Sequence, residues 1–291
     1  MYSRKRIPIA RTGLNSPRRV LFVRTGQYLL ALLLAIYSGF PIYYMIICSF
    51  REPAVFYTSR SLLPTSVTLE YYRTLIRRTD FALQFWNSVV VATATVIVTL
   101  VVSIMVAYAV SRFKVRGKKA IIGTMLYAYM FPPLLLAIPL TSIFAALNLV
   151  DRLPSLVVAH FTMTLPLAVW FLWGFLKAMP FELEEAAMVD GCSRLGAFVR
   201  VILPLSLPGL TTVAIFSFLL SWTDYTFGLV LLSSDTNKTL PVGLASLLAG
   251  VDMRWGEVMA GATLIVIPLF VLFAFCSRYF VAGMAAGAVK G

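Results

Sequence analysis

Charged side chains are scarce in this sequence. Only 13% of its 291 residues are Asp, Glu, Lys or Arg, whereas a soluble domain carries about a quarter. Hydrophobic residues make up 60% of the chain, and the mean hydropathy is +0.87. Because so few charges cannot cover a soluble protein of this size, we predict that most of the chain lies in lipid.

Acidic residues are fewer than basic residues. There are 12 of them against 25 lysines and arginines, which gives a net charge of +13. In a soluble protein this excess would indicate a nucleic-acid partner. Here the basic residues lie between long apolar runs, so they predict the orientation of the chain in a bilayer, and no nucleic-acid partner is expected.

Residues that carry catalysis or bind metals are nearly missing. The three cysteines lie far apart and fit no metal spacing. A phosphate-binding loop is absent, since the Gly117-Lys118 pair lacks the upstream glycine. We therefore predict no catalytic residue, no metal site and no cofactor bound by this chain. Any energy for its function has to come from another polypeptide.

Six uncharged runs can each hold the roughly 20 residues that cross about 30 Å of hydrocarbon. If both termini lie on one side of the membrane, that side carries 17 of the 25 lysines and arginines, and the other side carries 8. Because basic residues favour the cytoplasmic side, both termini are predicted to be cytoplasmic. The sequence thus predicts an all-α, multi-pass membrane protein with six transmembrane helices.

The predicted segments alternate between crossings and connections. The crossings are residues 25–50, 84–110, 120–146, 155–176, 205–232 and 257–280. The periplasmic connections are residues 51–83 and 233–256, and the cytoplasmic segments are a basic arm at 1–24, a hairpin at 177–204 and a tail at 281–291. Prolines at positions 132, 133 and 139 predict a kink in the third crossing.

The hairpin at residues 177–204 is a polar, helix-forming segment between apolar crossings. Its four acids have no reason to lie in lipid, and they are expected to face a soluble partner. Gly191 is predicted to end a first helix in a left-handed conformation, and Ser193 to cap a second. The second helix is expected to have one apolar face, formed by Leu195, Phe198, Val199 and Ile202. A connector needs only a few residues, so this length favours a docking element.

The hairpin also resembles a known motif. Glu185-Ala186-Ala187, Asp190-Gly191 and Ile202-Leu203-Pro204 together are similar to the EAA loop of permease subunits of binding-protein-dependent ABC importers. The tail from Val281 to Gly291 resembles the C-terminus of the carbohydrate branch of that family, the smaller permease of maltose and trehalose type. Where the family often has alanine after the glycine, this chain has Cys192.

This resemblance implies the type I importer permease fold in a bacterial inner membrane, working by alternating access. It also implies four kinds of partner: a second permease subunit, two copies of an ATP-binding subunit that use ATP and Mg²⁺, a periplasmic or lipid-anchored solute-binding protein, and a sugar such as trehalose or a maltose-like saccharide. By matching position, the implied ATPase-coupling residues are Glu185, Ala186, Ala187, Asp190 and Gly191. The implied tail contacts with the ATPase are Val289, Lys290 and Gly291.

Polar and aromatic residues near the outer ends of two crossings are candidates for the sugar path. Asp224 is an ionisable residue inside the fifth crossing, flanked by Trp222 and Tyr225, and an aromatic and carboxylate group of this kind suits a sugar. The alternative is an interfacial aromatic belt. Asn87 is a further candidate for the path, although small polar residues often join helices. His160 fits either a hydrogen bond to a neighbouring helix or a proton relay.

An ATP-independent secondary transporter is the alternative function. Such a protein would contain buried charged pairs for ion coupling and an internal repeat. The sequence shows no repeat, and only Asp224 and His160 are candidates for such a pair, so no buried charged pair is expected.

Overall fold

The structure is a computed structural model that describes residues 17–58, 61–63, 66–249 and 254–288. Within these ranges the regular structure is helical and contains no β-strand. The helices are α1 (Pro17–Ser49), α2 (Glu70–Arg78), α3 (Phe81–Arg112), α4 (Lys118–Tyr129), α5 (Pro133–Ala146), α6 (Leu153–Ala178), α7 (Glu182–Val189), α8 (Arg194–Ala197), α9 (Leu203–Leu205), α10 (Leu207–Trp222), α11 (Thr226–Leu231), α12 (Leu240–Ser246) and α13 (Trp255–Ala288). A π-helical turn, Phe198–Ile202, joins α8 to α9.

Four of these helices, α1, α3, α6 and α13, are each long and apolar enough to cross a membrane. Two bent pairs meet the same test together: α4 with α5, and the rod Arg194–Leu205 with α10. Counting each bent pair as one span gives up to six spans. The prediction of an all-α membrane protein is confirmed, and the upper count of spans matches the six predicted crossings.

The third predicted crossing, residues 120–146, is not one straight helix. α4 and α5 meet at an angle of 98°. Pro132 has an extended backbone (φ −60°, ψ 128°), and Pro133 follows it in the first turn of α5. A proline disfavours helical backbone in the residue before it and lacks an N–H for the preceding turn, so the helix ends and restarts here. The kink falls where the prolines predict it, but it is a full break.

The fifth predicted crossing, residues 205–232, is also interrupted. α10 ends at Trp222, and α11 begins at Thr226. Between them, Asp224 accepts hydrogen bonds from the N–H groups of Phe227 (3.3 Å) and Gly228 (3.0 Å). These bonds satisfy free amides in the first turn of α11, so the aspartate starts a new helix where a continuous one was predicted.

α3 lies at the centre of the bundle and packs along both α6 and α10. Its buried face carries small polar side chains as well as apolar ones. The hydroxyls of Thr99 on α3 and Thr164 on α6 lie 2.7 Å apart. Small polar residues let helices approach closely and join them by hydrogen bonds. α1 packs against α13, and most of its apolar side chains remain exposed.

The bundle has two distinct ends. The hairpin end contains residues 177–206 and the C-terminal end of α3. The opposite end contains α2, α12 and the loop before α6, where the Asp151 carboxylate accepts hydrogen bonds from the N–H groups of Ser233 (2.9 Å) and Ser234 (3.0 Å) and from the Ser234 hydroxyl. These bonds, those to Ser234 above all, lower the pKa of Asp151 to about 2. The carboxylate therefore ties two connections together at this end.

Candidate functional site

The first helix of the hairpin ends in a left-handed turn, as predicted. Gly191 has a φ of +90°. Its N–H donates to the Met188 carbonyl (3.1 Å), and the Cys192 N–H donates to the Ala187 carbonyl (3.0 Å). These two bonds form a Schellman motif, which satisfies carbonyls at the end of α7 and reverses the chain.

The second helix begins at the predicted cap, because the Ser193 hydroxyl accepts the Gly196 N–H at 3.1 Å. The prediction of one apolar face on this helix is correct only in part. Ile202 is fully buried, but Leu195 is 72% exposed and Val199 is 49% exposed. The rod lies on the surface of the bundle, so the bundle covers one stripe of it and leaves the neighbouring stripe open.

α7 presents an outward face and an inward face. The outward face is a stripe at helical spacing formed by Glu182, Glu185, Ala186 and Val189. Of the predicted coupling residues, Glu185, Ala186, Asp190 and Gly191 are exposed. Ala187 is only 8% exposed and packs inward, so the alanine pair does not form one outer surface. Val189, at 87% exposed, was not predicted as part of this face.

Glu184 is the exception among the acids of the hairpin. Its side chain is 5% exposed and is buried against the end of α3. The Tyr108 hydroxyl donates to its Oε1, and the Arg112 Nε lies 3.2 Å from its Oε2 as an ion pair whose hydrogen bond is not aligned. On the exposed side, the Arg194 Nε is 3.9 Å from Oε1. The expectation that all four acids face a partner is therefore wrong for Glu184, since a buried carboxylate needs compensation from within the chain.

Arg112 also fixes the entry to α7. Its guanidinium donates to the Met179 carbonyl at 3.3 Å and lies 4.3 Å from the centre of the Phe181 ring. The arginine thus contacts the chain before α7 and, through Glu184, the helix itself. The position of the outward stripe is therefore set by the last turn of α3.

Two of the four predicted sugar-path residues have packing roles. Trp222 is 1% exposed, and its indole N–H donates to the Ile265 carbonyl at 3.1 Å. The Asn87 amide donates to the carbonyls of Thr236 (2.9 Å) and Lys238 (3.0 Å) at the opposite end. In this conformation these side chains join elements of the bundle and offer little surface to a solute.

The other two predicted path residues differ in exposure. Asp224 is 11% exposed at its side chain and is engaged with α11, whereas Tyr225 is 43% exposed. Tyr225 is thus the open member of the predicted group.

His160 is fully buried on α6 and contacts both sides of the break between α10 and α11. Its Nδ1 lies 2.8 Å from the Ser221 hydroxyl, and its Nε2 lies 3.2 Å from Asp224 Oδ2. A tautomer with hydrogen on Nε2 suits this arrangement, because Nδ1 then accepts from the serine and Nε2 faces the carboxylate. The predicted hydrogen bond to a neighbouring helix is present. The expectation of no buried charged pair is wrong for Arg112 with Glu184. His160 and Asp224, the two candidates from the sequence, do meet, but the imidazole tautomer that suits this arrangement carries no charge.

Sequence reasoning missed Tyr108 and Arg112 as members of the site. Both lie on the last two turns of α3, four residues apart, and therefore on one face of that helix. The burial of Glu184 was weakly indicated by its position, because residue 184 falls outside the helical spacing of the exposed stripe at 182, 185, 186 and 189. The distance in sequence between α3 and α7 hid the connection.

Together these features define a multi-pass membrane protein with an exposed, polar helical hairpin between two of its spans. Residues 99–286 match the family described as binding-protein-dependent transport system inner membrane component. The chain is 36% identical to the inner membrane ABC transporter permease protein YcjP of Escherichia coli strain K12, over 92% of this chain and 97% of that protein. It is 38% identical to the trehalose transport system permease protein SugB of Mycobacterium tuberculosis, over 79% and 85% of the two chains.

A solved structure shares the fold. A chain of a bacterial ABC transporter involved in the import of the acidic polysaccharide alginate superposes with a TM-score of 0.77, at 22% identity, over 92% of this chain and 100% of that chain. The protein belongs to the family of binding-protein-dependent transport system inner membrane components and is an ABC transporter permease. The predicted family and the importer permease fold are confirmed.

The matched range contains the hairpin and the C-terminal part of α3, residues 99–112. The predicted tail contacts Val289, Lys290 and Gly291 lie outside the described residues, so their contact with an ATPase stays a prediction.

Proposed function

We propose that this chain is one of two permease subunits of a bacterial importer for a di- or oligosaccharide, and that its hairpin receives an ATP-binding subunit. The observation that carries this proposal is the outward stripe of α7, which is exposed along its whole length while Glu184 and Ala187 hold the other face to the bundle. The sugar is supported by the trehalose permease among the relatives. A periplasmic or lipid-anchored solute-binding protein is supported by the family's description.

The hairpin stripe suits the concave surface of a soluble partner. The hairpin exposes the apolar side chains of Val189 and Leu195 as well as the acidic side chains of Glu185 and Asp190. An interface with an apolar centre and a charged rim is typical of protein–protein recognition. Ala186, exposed on α7, is small enough to allow close approach. The partner surface that fits this arrangement is an apolar cleft with basic residues at its edge.

The membrane orientation follows from the same assignment. ATP is cytoplasmic, so the hairpin end faces the cytoplasm and the opposite end faces the solute-binding protein, as the distribution of basic residues also favours. Closure of two ATP-binding subunits, driven by ATP with Mg²⁺, would then move the hairpins of the two permeases together. The permeases would alternate between inward-facing and outward-facing states with the sugar path between them. In this scheme Tyr225, near the opposite end, is the candidate for sugar contact.

The experiment uses the whole complex, purified and reconstituted in liposomes with its binding protein. Glu185→Lys reverses a charge at the centre of the stripe, and we expect the ATP-binding subunit to be lost on purification and sugar uptake to stop. Glu70→Lys is the matched control, since Glu70 is an exposed glutamate in the first turn of α2 at the opposite end. Full ATP-driven uptake by the Glu185→Lys complex would refute the proposal, as would ATP-independent uptake by the chain alone.

A further inference from the structure

Glu184 stands apart from the glutamates on either side of it. Glu182 and Glu185 are exposed on the outward stripe, while Glu184 is buried and points to α3. With a side chain only 5% exposed, and with Arg194 of the hairpin 3.9 Å from its Oε1 on the exposed side, this carboxylate offers almost no surface to a partner. Its role therefore has to be sought inside the chain.

The contacts of Glu184 join the hairpin to a helix that is distant in sequence. α6 leads into the hairpin and α10 follows it, but Tyr108 and Arg112 belong to α3. The Tyr108 hydroxyl and the Arg112 guanidinium meet the two oxygens of Glu184 separately. Displacing α7 alone would leave a buried charge on each side without a partner, which is strongly unfavourable. Apolar packing at the same place would tolerate sliding more easily.

α3 has the length and the stiffness to transmit such a displacement. It has 32 residues and is therefore about 48 Å long. It contains neither proline nor glycine, whereas α1, α6 and α13 each contain a proline inside the helix. Prolines and glycines are the usual positions at which long helices bend. α3 is thus the span with the fewest places to absorb a movement.

The far end of α3 is also tied by hydrogen bonds. The Asn87 amide donates hydrogen bonds to the carbonyls of Thr236 and Lys238, and the Ser88 hydroxyl accepts the Leu240 N–H at 2.8 Å. The two carbonyls lie in the connection between α11 and α12, and Leu240 is the first residue of α12, at the opposite end. A single stiff helix therefore connects the hairpin with the surface that would face the solute-binding protein.

We propose that Glu184 is a positioning residue that links α7 to α3, so that α3 transmits movement of the hairpin to the loop held by Asn87. This inference rests on the proposed function. It separates two tasks on one short helix: the exposed Glu185 contributes to binding the ATPase, and the buried Glu184 conveys its motion. Binding-protein signals would pass along the same helix in the opposite direction, because coupling between two sites is reciprocal.

The test compares neighbouring glutamates in the reconstituted complex. Glu184→Gln removes the buried charge, and Glu185→Gln is the exposed control. We expect Glu184→Gln to keep the ATP-binding subunit bound and its basal hydrolysis near wild type, while stimulation by sugar-loaded binding protein falls about tenfold, within the range of ordinary allosteric couplings. Glu185→Gln should weaken subunit binding instead. Loss of subunit binding in Glu184→Gln, or unchanged stimulation, would overturn the inference.

Two further variants separate a transmitting role from a merely structural one. Tyr108→Phe removes one hydrogen bond and leaves the ion pair, so it should give a smaller loss of stimulation in a folded protein even if Glu184→Gln does not fold. In a double-mutant cycle, Glu184→Gln combined with Asn87→Ala should lower stimulation no further than either single variant. If the losses of stimulation in the two single variants multiply in the double variant, the two ends of α3 act independently. That result would refute transmission along α3. If Glu185→Gln also leaves subunit binding intact, the proposed function itself is at fault.

Discussion

The left-handed turn at Gly191 offers a sharp test of the hairpin. Gly191 has a φ of +90°, and a Cβ added there would meet no atom within 4 Å. Gly191→Ala therefore creates no clash, and its cost is the backbone conformation alone, about 1–2 kcal/mol. That amount lowers the ratio of native to altered turn by a factor of about 5–30. The altered turn loses the two hydrogen bonds that end α7 and misaligns the stripe.

The assay is ATP-driven sugar uptake by the reconstituted complex, together with its melting temperature. We expect Gly191→Ala to reduce uptake by up to about 5–30-fold if the altered turn cannot bind the ATPase, the full factor being reached when the native and altered turns are close in free energy. Gly117→Ala is the matched control, because Gly117 has a φ of +75° with open space around its Cβ position but lies in the loop between α3 and α4. Gly117→Ala introduces the same kind of backbone strain at a position outside the hairpin.

A second control removes the strain. Gly174 lies within α6 with no atom within 4 Å of a Cβ, so Gly174→Ala should be neutral or stabilising by up to about 1 kcal/mol. Wild-type uptake by Gly191→Ala, or equal impairment by Gly117→Ala, would show that the geometry of this turn does not orient the outward stripe of α7 for the proposed ATPase contact.

The remaining predictions concern polar groups away from the hairpin. His160→Ala leaves Ser221 and Asp224 without their buried partner, and we expect a loss of about 1–3 kcal/mol in unfolding free energy, measured by denaturation in detergent; an unchanged stability would show that water or a rearrangement replaces the imidazole. Asp151 has a pKa lowered from 3.8 to about 2 by its hydrogen bonds, so it stabilises the folded state fully above its ordinary pKa and loses this effect as the pH falls through about 2. Asp151→Asn should therefore lower the melting temperature at neutral pH and flatten its fall between about pH 4 and pH 2; parallel pH curves for the two proteins would contradict this role.

Much of the hairpin's structure could be predicted from local sequence patterns. Gly191 and Ser193 act as predicted because helix ends depend on nearby residues and on backbone conformation. The double proline at 132–133 likewise placed the break in the third crossing. Asp224 was noticed for its charge, but its function as the cap of α11 was not, because a lone aspartate in an apolar run does not show which amides it will accept.

The sequence by itself determined the membrane class, the family and the helix ends of the hairpin, because hydropathy, charge distribution and helix-end residues act over short distances along the chain. Only the tertiary structure decided that Glu184 faces Arg112 and Tyr108, that His160 meets Asp224, and that Trp222 and Asn87 are used in packing. These pairings join residues separated by tens of positions in sequence. They depend on how the helices lie against each other, and a buried charge takes whichever opposite charge that packing brings within reach.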